Sequence, residues 1–167
     1  MNLYFTIPFL TLVAIFQGTA APQIHIGAGY PDLMLLSVVS WQLVQTRGEG
    51  YTWAFIGGLL VDLISGGPFG ASILGLLAAA AVADRVGGGL ARDQVALPLI
   101  SSFLGTFAFH GVYLIVLRVF GRTLDPTDAV FRVVLPSAVI NMVLSPFLFR
   151  AMIAIHRRVT PPGVSWE

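Results

Sequence analysis

The chain contains no cysteine and no lysine. The first absence removes disulfides, thiolate metal sites and a cysteine nucleophile. The second leaves arginine as the sole strongly basic side chain. Charge of either sign is scarce: nine basic and eight acidic residues among 167 make 10% charged residues, against about 25% in an average soluble domain. With 56% hydrophobic residues, the chain lacks the polar surface needed to solvate a globule, and a soluble domain is excluded. There is no basic stripe to neutralise phosphates, so nucleic acid is not an expected partner. Walker-type phosphate loops, an HExxH helix and a paired-carboxylate cleft are also missing. No cofactor, metal or catalytic residue is therefore expected, and the bilayer is the solvent to reason with.

What the chain has instead is apolar runs. Residues 3–21 approach the ~20 residues that a bilayer core requires and read as a first span. Thr19, Ala20 and Ala21 are small enough for a cleavage site, but no Arg or Lys precedes the run as a secretory n-region demands. Three shorter segments follow at 33–44, 52–64 and 69–83. Gly27, Gly29 and Pro31 precede the first, Arg47-Gly48-Glu49-Gly50 separates it from the second, and Ser65-Gly66-Gly67-Pro68 separates the second from the third. Such short segments need shielding by longer neighbours, which places them inside a bundle. Residues 95–120 and 130–155 are long enough to span with tilt, and Pro136 and Pro146 predict a kink or break in the last.

The expectation is one all-α integral membrane domain over 1–167, a bundle of about six transmembrane helices, with five spans and a re-entrant segment as the rival. With the N-terminus cytoplasmic, inner loops and tail carry Arg47, Arg85, Arg92, Arg157 and Arg158 and the outer loops only Arg122, which predicts both termini inside. Arg118 and Arg132 flank the outer loop and are expected to snorkel or pair with Asp125 and Asp128.

Three patterns carry the candidate sites. Asp62 lies within Gly57-Gly58-Leu59-Leu60-Val61-Asp62-Leu63-Ile64-Ser65-Gly66-Gly67-Pro68-Phe69-Gly70. A carboxylate there needs a partner, either amides of the glycine-rich turn or another protein group. Gly58, Gly66, Gly67, Pro68 and Gly70 predict a tight hairpin around it. Ala71, Gly75, Ala79 and Ala83 recur every fourth residue, a small-residue face for close helix approach within the chain or between copies of it. Ser102, Thr106 and His110 form one polar stripe, and Ser137, Asn141 and Ser145 another, readable as an interhelical hydrogen-bond seam or as a lined cavity. A Ser72/His110 protease dyad is disfavoured, because Ile73 stands where rhomboid-like enzymes need glycine.

Pro31-Asp32-Leu33, the Arg47-Gly48-Glu49-Gly50 turn and the stretch from Gly57 to Gly70 resemble the MreD family of rod shape-determining membrane proteins. The resemblance implies a small non-enzymatic protein of the bacterial cytoplasmic membrane that works with MreC. It also implies an elongation machinery containing MreB, RodA and a class B penicillin-binding protein. The family is similar in fold to the substrate-binding S components of energy-coupling-factor transporters, which supplies an alternative function. Two expectations follow: a scaffold whose small-residue face binds the transmembrane helix of an MreC-like partner, or a transporter subunit holding a ligand between the two polar stripes.

Overall fold

A computed structural model of the chain describes residues 3–19, 29–45, 49–89, 96–122 and 125–159. It is built from α1 (Leu3–Thr19), α2 (Leu33–Val44), α3 (Glu49–Ser65), α4 (Ala71–Gly89), α5 (Ala96–Val119), a single turn α6 (Pro126–Ala129), a π-helical segment (Val130–Val134) and α7 (Leu135–Val159). The chain is all-α. Three stretches are long and apolar enough to cross a membrane, Ala71–Gly89, Ala96–Val119 and Thr127–Arg158, while α1 and α2 are shorter apolar helices. Arg47, Arg92 and residues 20–28, on which part of the orientation and boundary reading rests, lie outside the described residues.

The centre of the bundle is α2. Of its twelve residues, the ten from Met34 to Leu43 are buried, and α1, α3, α4, α5 and α7 all pack against it. At 1.5 Å per residue it is only about 18 Å long, so it is a core element wrapped by longer neighbours. A helix that is apolar around its whole circumference has that fate. At the end of α2 the Trp41 ring stacks on Trp53 of α3 with centroids 4.2 Å apart. The amide of Gln42 donates to Asp84 of α4 at 2.8 Å, and Tyr51 donates to the same carboxylate at 3.2 Å.

Helices α3 and α4 meet at almost backbone distance. A Cβ at Gly58 would stand 2.4 Å from Ile73 Cα, so the crossing tolerates hydrogen alone. The face formed by Ala71, Gly75, Ala79 and Ala83 is buried: Phe109 of α5 lies over Gly75, and Gly105 of α5 approaches Ala79. Its use is within the chain, so the expectation that it is the surface offered to a partner helix is set aside in favour of other surfaces.

Three boundaries differ from the sequence reading. Helix α3 begins at Glu49 and α4 runs on to Gly89, so both exceed the segments expected from apolarity; Glu49-Gly50 starts a helix, and Arg85 sits on one. The last segment is continuous rather than broken. Leu135 N–H bonds Val130 O in π fashion immediately before Pro136, and Pro146 lies inside α7 without ending it. Around Pro136 the wider turn accommodates a residue that has no N–H to donate. Arg132 pairs with Asp128 at 3.4 Å on an exposed turn.

The Gly58 contact gives a direct test. Gly58→Ala should lower the melting temperature in detergent, by an amount equivalent to roughly 1–3 kcal/mol of overpacking. Gly88→Ala, where a Cβ has open space, should leave it unchanged or raise it slightly.

Candidate partner-binding site

Asp62 is 5% exposed and faces the start of α4. Its Oδ2 accepts the Gly70 N–H at 2.7 Å and its Oδ1 accepts the Ser72 N–H at 3.0 Å. The first turn of a helix presents unpaired amides and positive dipole, and a side-chain oxygen at the N-cap usually satisfies them. Here the cap position is Gly70 at φ 94°, a conformation that favours glycine and so leaves no side chain to do it. Asp62 supplies the missing oxygen from the preceding helix. Gly66, at φ 64°, ends α3, and the Pro68 carbonyl takes the Ala71 N–H at 3.1 Å.

The start of α2 is satisfied in a similar way. Asp32 caps it by accepting the Leu35 N–H at 2.9 Å, and Gln17 of α1 takes the Met34 N–H at 2.7 Å. Asn141 of α7 joins this cap to α5: its Oδ1 accepts the Asp32 N–H at 2.9 Å, and its Nδ2 donates to Thr106 Oγ1 at 3.1 Å. Ser137 Oγ accepts the Tyr30 N–H at 3.3 Å. Thus the two polar stripes meet each other through Thr106 and Asn141. Ser102 and Ser145 instead donate to carbonyls of their own helices, at 3.1 and 2.8 Å.

Beside this network is a cavity of about 550 Å³, within the ~300–1,000 Å³ range of ligand pockets. It lies where α1, α3 and α5 end and where α2, α4 and the segment leading into α7 begin. Asp32, His110, Tyr30, Tyr113, Gln17, Ser65 and Ser72 form its polar lining, and Val61, Ile64, Phe109, Leu114, Leu117, Val133 and Val134 are among its apolar walls. His110 bonds the Thr106 carbonyl through Nδ1 at 2.9 Å. That bond requires the proton on Nδ1, which leaves Nε2 of the neutral ring as an acceptor.

Of the two stripes, His110 alone lines this cavity; Ser102, Thr106, Ser137, Asn141 and Ser145 do not. Asp62 does not line it either, but Ser72, which it caps, does. Among the described residues no hydrogen bond joins Ser72 to His110, and no group of three His, Asp or Glu side chains is placed to hold a metal. Gln17 and Tyr30 are residues that sequence reasoning passed over, and Asp32 entered it only within the motif Pro31-Asp32-Leu33. A signal existed for Asp32, an acidic residue directly before an apolar run, the usual mark of an N-cap.

These contacts predict unequal costs. Asn141→Leu strands the Asp32 amide, roughly 1–3 kcal/mol for a group left unpaired, and takes a donor from Thr106 Oγ1, which still donates to the Ser102 carbonyl at 2.7 Å; it should depress the melting temperature well below that of Ser145→Ala. Asp62→Asn, which keeps one of two accepting oxygens, should be milder than Asp62→Leu in the same measurement.

A family model described as rod shape-determining protein MreD matches residues 1–159. No curated protein and no solved structure matches the chain. The family match spans nearly the whole of a helical chain with membrane-length helices, and the chain belongs to the MreD family of rod shape-determining membrane proteins.

Proposed function

We propose that the chain is a non-enzymatic scaffold of the cell-elongation machinery in the bacterial cytoplasmic membrane, and that it receives a membrane-proximal segment of an MreC-like partner in its cavity. The cavity carries this reading: it is a concavity of about 550 Å³ with apolar walls and a polar lining. The small-residue face of α4 is already covered by α5, which directs docking elsewhere. With the N-terminus cytoplasmic, the cavity faces the outer side, where a single-span partner would emerge from the bilayer. Through that partner the protein would act on peptidoglycan synthesis by RodA and its class B penicillin-binding protein, and on MreB from the inner side.

The volume also suits a small molecule, the observation that favours a transporter-type subunit as second reading. In that reading the ligand would lie against His110 and the phenols of Tyr30 and Tyr113, because the remaining stripe residues do not line the cavity.

Affinity purification from cells co-expressing the full-length MreC-like protein separates the two. Val133→Trp, which fills the cavity, should reduce the co-eluting partner at least tenfold, whereas Val143→Trp on the exposed face of α7 should not. Undiminished co-elution with Val133→Trp, together with a small molecule retained by the unmodified protein in native mass spectrometry, would overturn the scaffold reading.

A further inference from the structure

The end of α7 carries three arginines on the side turned away from the bundle. Its inward side is fixed by what it touches. Met152 is 3% exposed, and His156, one turn on, meets the Trp41 ring edge-on with centroids 5.7 Å apart and shares a 3.0 Å hydrogen bond with the Gln45 amide. With 3.6 residues per turn, that rotation leaves Phe147, Arg150, Ala151, Ala154, Arg157 and Arg158 on the outside, where all of them are exposed. Helix α7 contains no acid, and among the described residues the ion pair is Arg132 with Asp128, at the far end of this segment.

Arg157 and Arg158 are what a span needs at its end to set its topology. Arg150 is not, because it lies inside the apolar sequence Phe147-Leu148-Phe149-Arg150-Ala151-Met152-Ile153-Ala154-Ile155. It stands about 10 Å along the axis from Arg157, whereas the headgroup layer of one leaflet is only about 5–8 Å deep. With the terminal pair at the water side of that layer, Arg150 falls at its hydrocarbon side and faces lipid, where a cation is costly unless an anion meets it. The interval between Arg150 and Arg157 is close to two full turns, so they stand one above the other with Ala154 between them. The Cα–Cβ bonds of a helix tilt toward its N-terminus, which leans Arg157 back toward Arg150, and the single methyl of Ala154 leaves room for a group between the two guanidiniums. The guanidinium fork matches the oxygens of a phosphate.

We infer that the outward face at the end of α7 binds an anionic phospholipid of the leaflet at which this helix ends. Its phosphate is held over Ala154 between Arg150 and Arg157, with Arg158 beside it, and its acyl chains lie along the exposed Phe147 and Val143. The site is at the opposite end of the bundle from the cavity and does not depend on what docks there.

For the test, the full chain is reconstituted in vesicles of equal parts phosphatidylglycerol and phosphatidylcholine and extracted briefly in mild detergent. The lipids it retains are counted by native mass spectrometry, and the melting temperature of each variant is measured in the same detergent. The unmodified protein should retain phosphatidylglycerol in preference to phosphatidylcholine, and Arg150→Gln and Arg157→Gln should each lower that preference about fivefold. Ala154→Phe, which fills the space between the arginines without changing the charge, should lower it as much. Arg85→Gln removes an exposed arginine near the same end of the bundle, one that bonds the Ala81 carbonyl of its own turn, and should leave the preference unchanged.

No preference in the unmodified protein, or the same preference in Arg150→Gln and Arg157→Gln, overturns the site. Equal losses in all three arginine variants with none in Ala154→Phe also overturn it, since the attraction is then that of diffuse surface charge. If Arg150→Gln melts early, the comparison of Ala154→Phe with Arg85→Gln decides: a loss in the first alone supports the site, and any other result rejects it.

Discussion

The structure depends on a helix too short for its surroundings. Helix α2 has twelve residues, and its start falls inside the wrapping helices, with Pro31 and Asp32 buried. Each helix end leaves amides or carbonyls without intrahelical partners, and in a low-dielectric interior each such group must be met by protein. The start of α2 is met by Asp32, by Gln17 from α1 and, one step back, by Asn141 from α7. The need recurs at α4, where the glycine that makes the turn cannot also cap, and Asp62 reaches across to do so.

Four polar residues in the apolar sequence therefore share one explanation. Asp32, Asp62, Gln17 and Asn141 each accept backbone amides at the start of a buried helix or just before it. Such bonds are modest in net worth when made and costly when lost. They also determine register: a helix whose first turn is held by side chains of two neighbours cannot slide along either without stranding several groups at once.

Much of this was legible in the sequence. The apolar runs located the helices, the spacing Ala71-Gly75-Ala79-Ala83 identified a packing face, and the Gly57 to Gly70 stretch pointed to a hairpin, with the partner of its acid left open between the amides of the turn and another protein group. The helix ends were less legible, because Glu49, Asp84 and Arg85 are polar yet helical, and apolarity alone stops short of them. The stripes Ser102-Thr106-His110 and Ser137-Asn141-Ser145 suggested repeated pairing, but a serine in a helix can bond its own preceding turn, and Ser102 and Ser145 do so. Gln17 could not be found in this way. Its partner, the Met34 amide, is set by how α1 is laid beside α2, which local patterning does not encode.

The same constraint shapes the cavity. The segment before α2 is pressed so close to α7 that a Cβ on Gly29 would stand 2.6 Å from Pro136 Cβ, and Tyr30 and Asp32 then bond Ser137 and Asn141 along the next turn. Pro136 is where α7 has no amide hydrogen to offer, and the π-helical turn Val130–Val134 directly precedes it. An inserted residue in a helix rotates everything on its far side relative to a regular α-helix. That rotation determines which side chains of the turn face inward, and Val133, Val134 and Ala129 are the ones lining the cavity. Capping α2 and forming the wall opposite α1 and α3 are thus consequences of one contact.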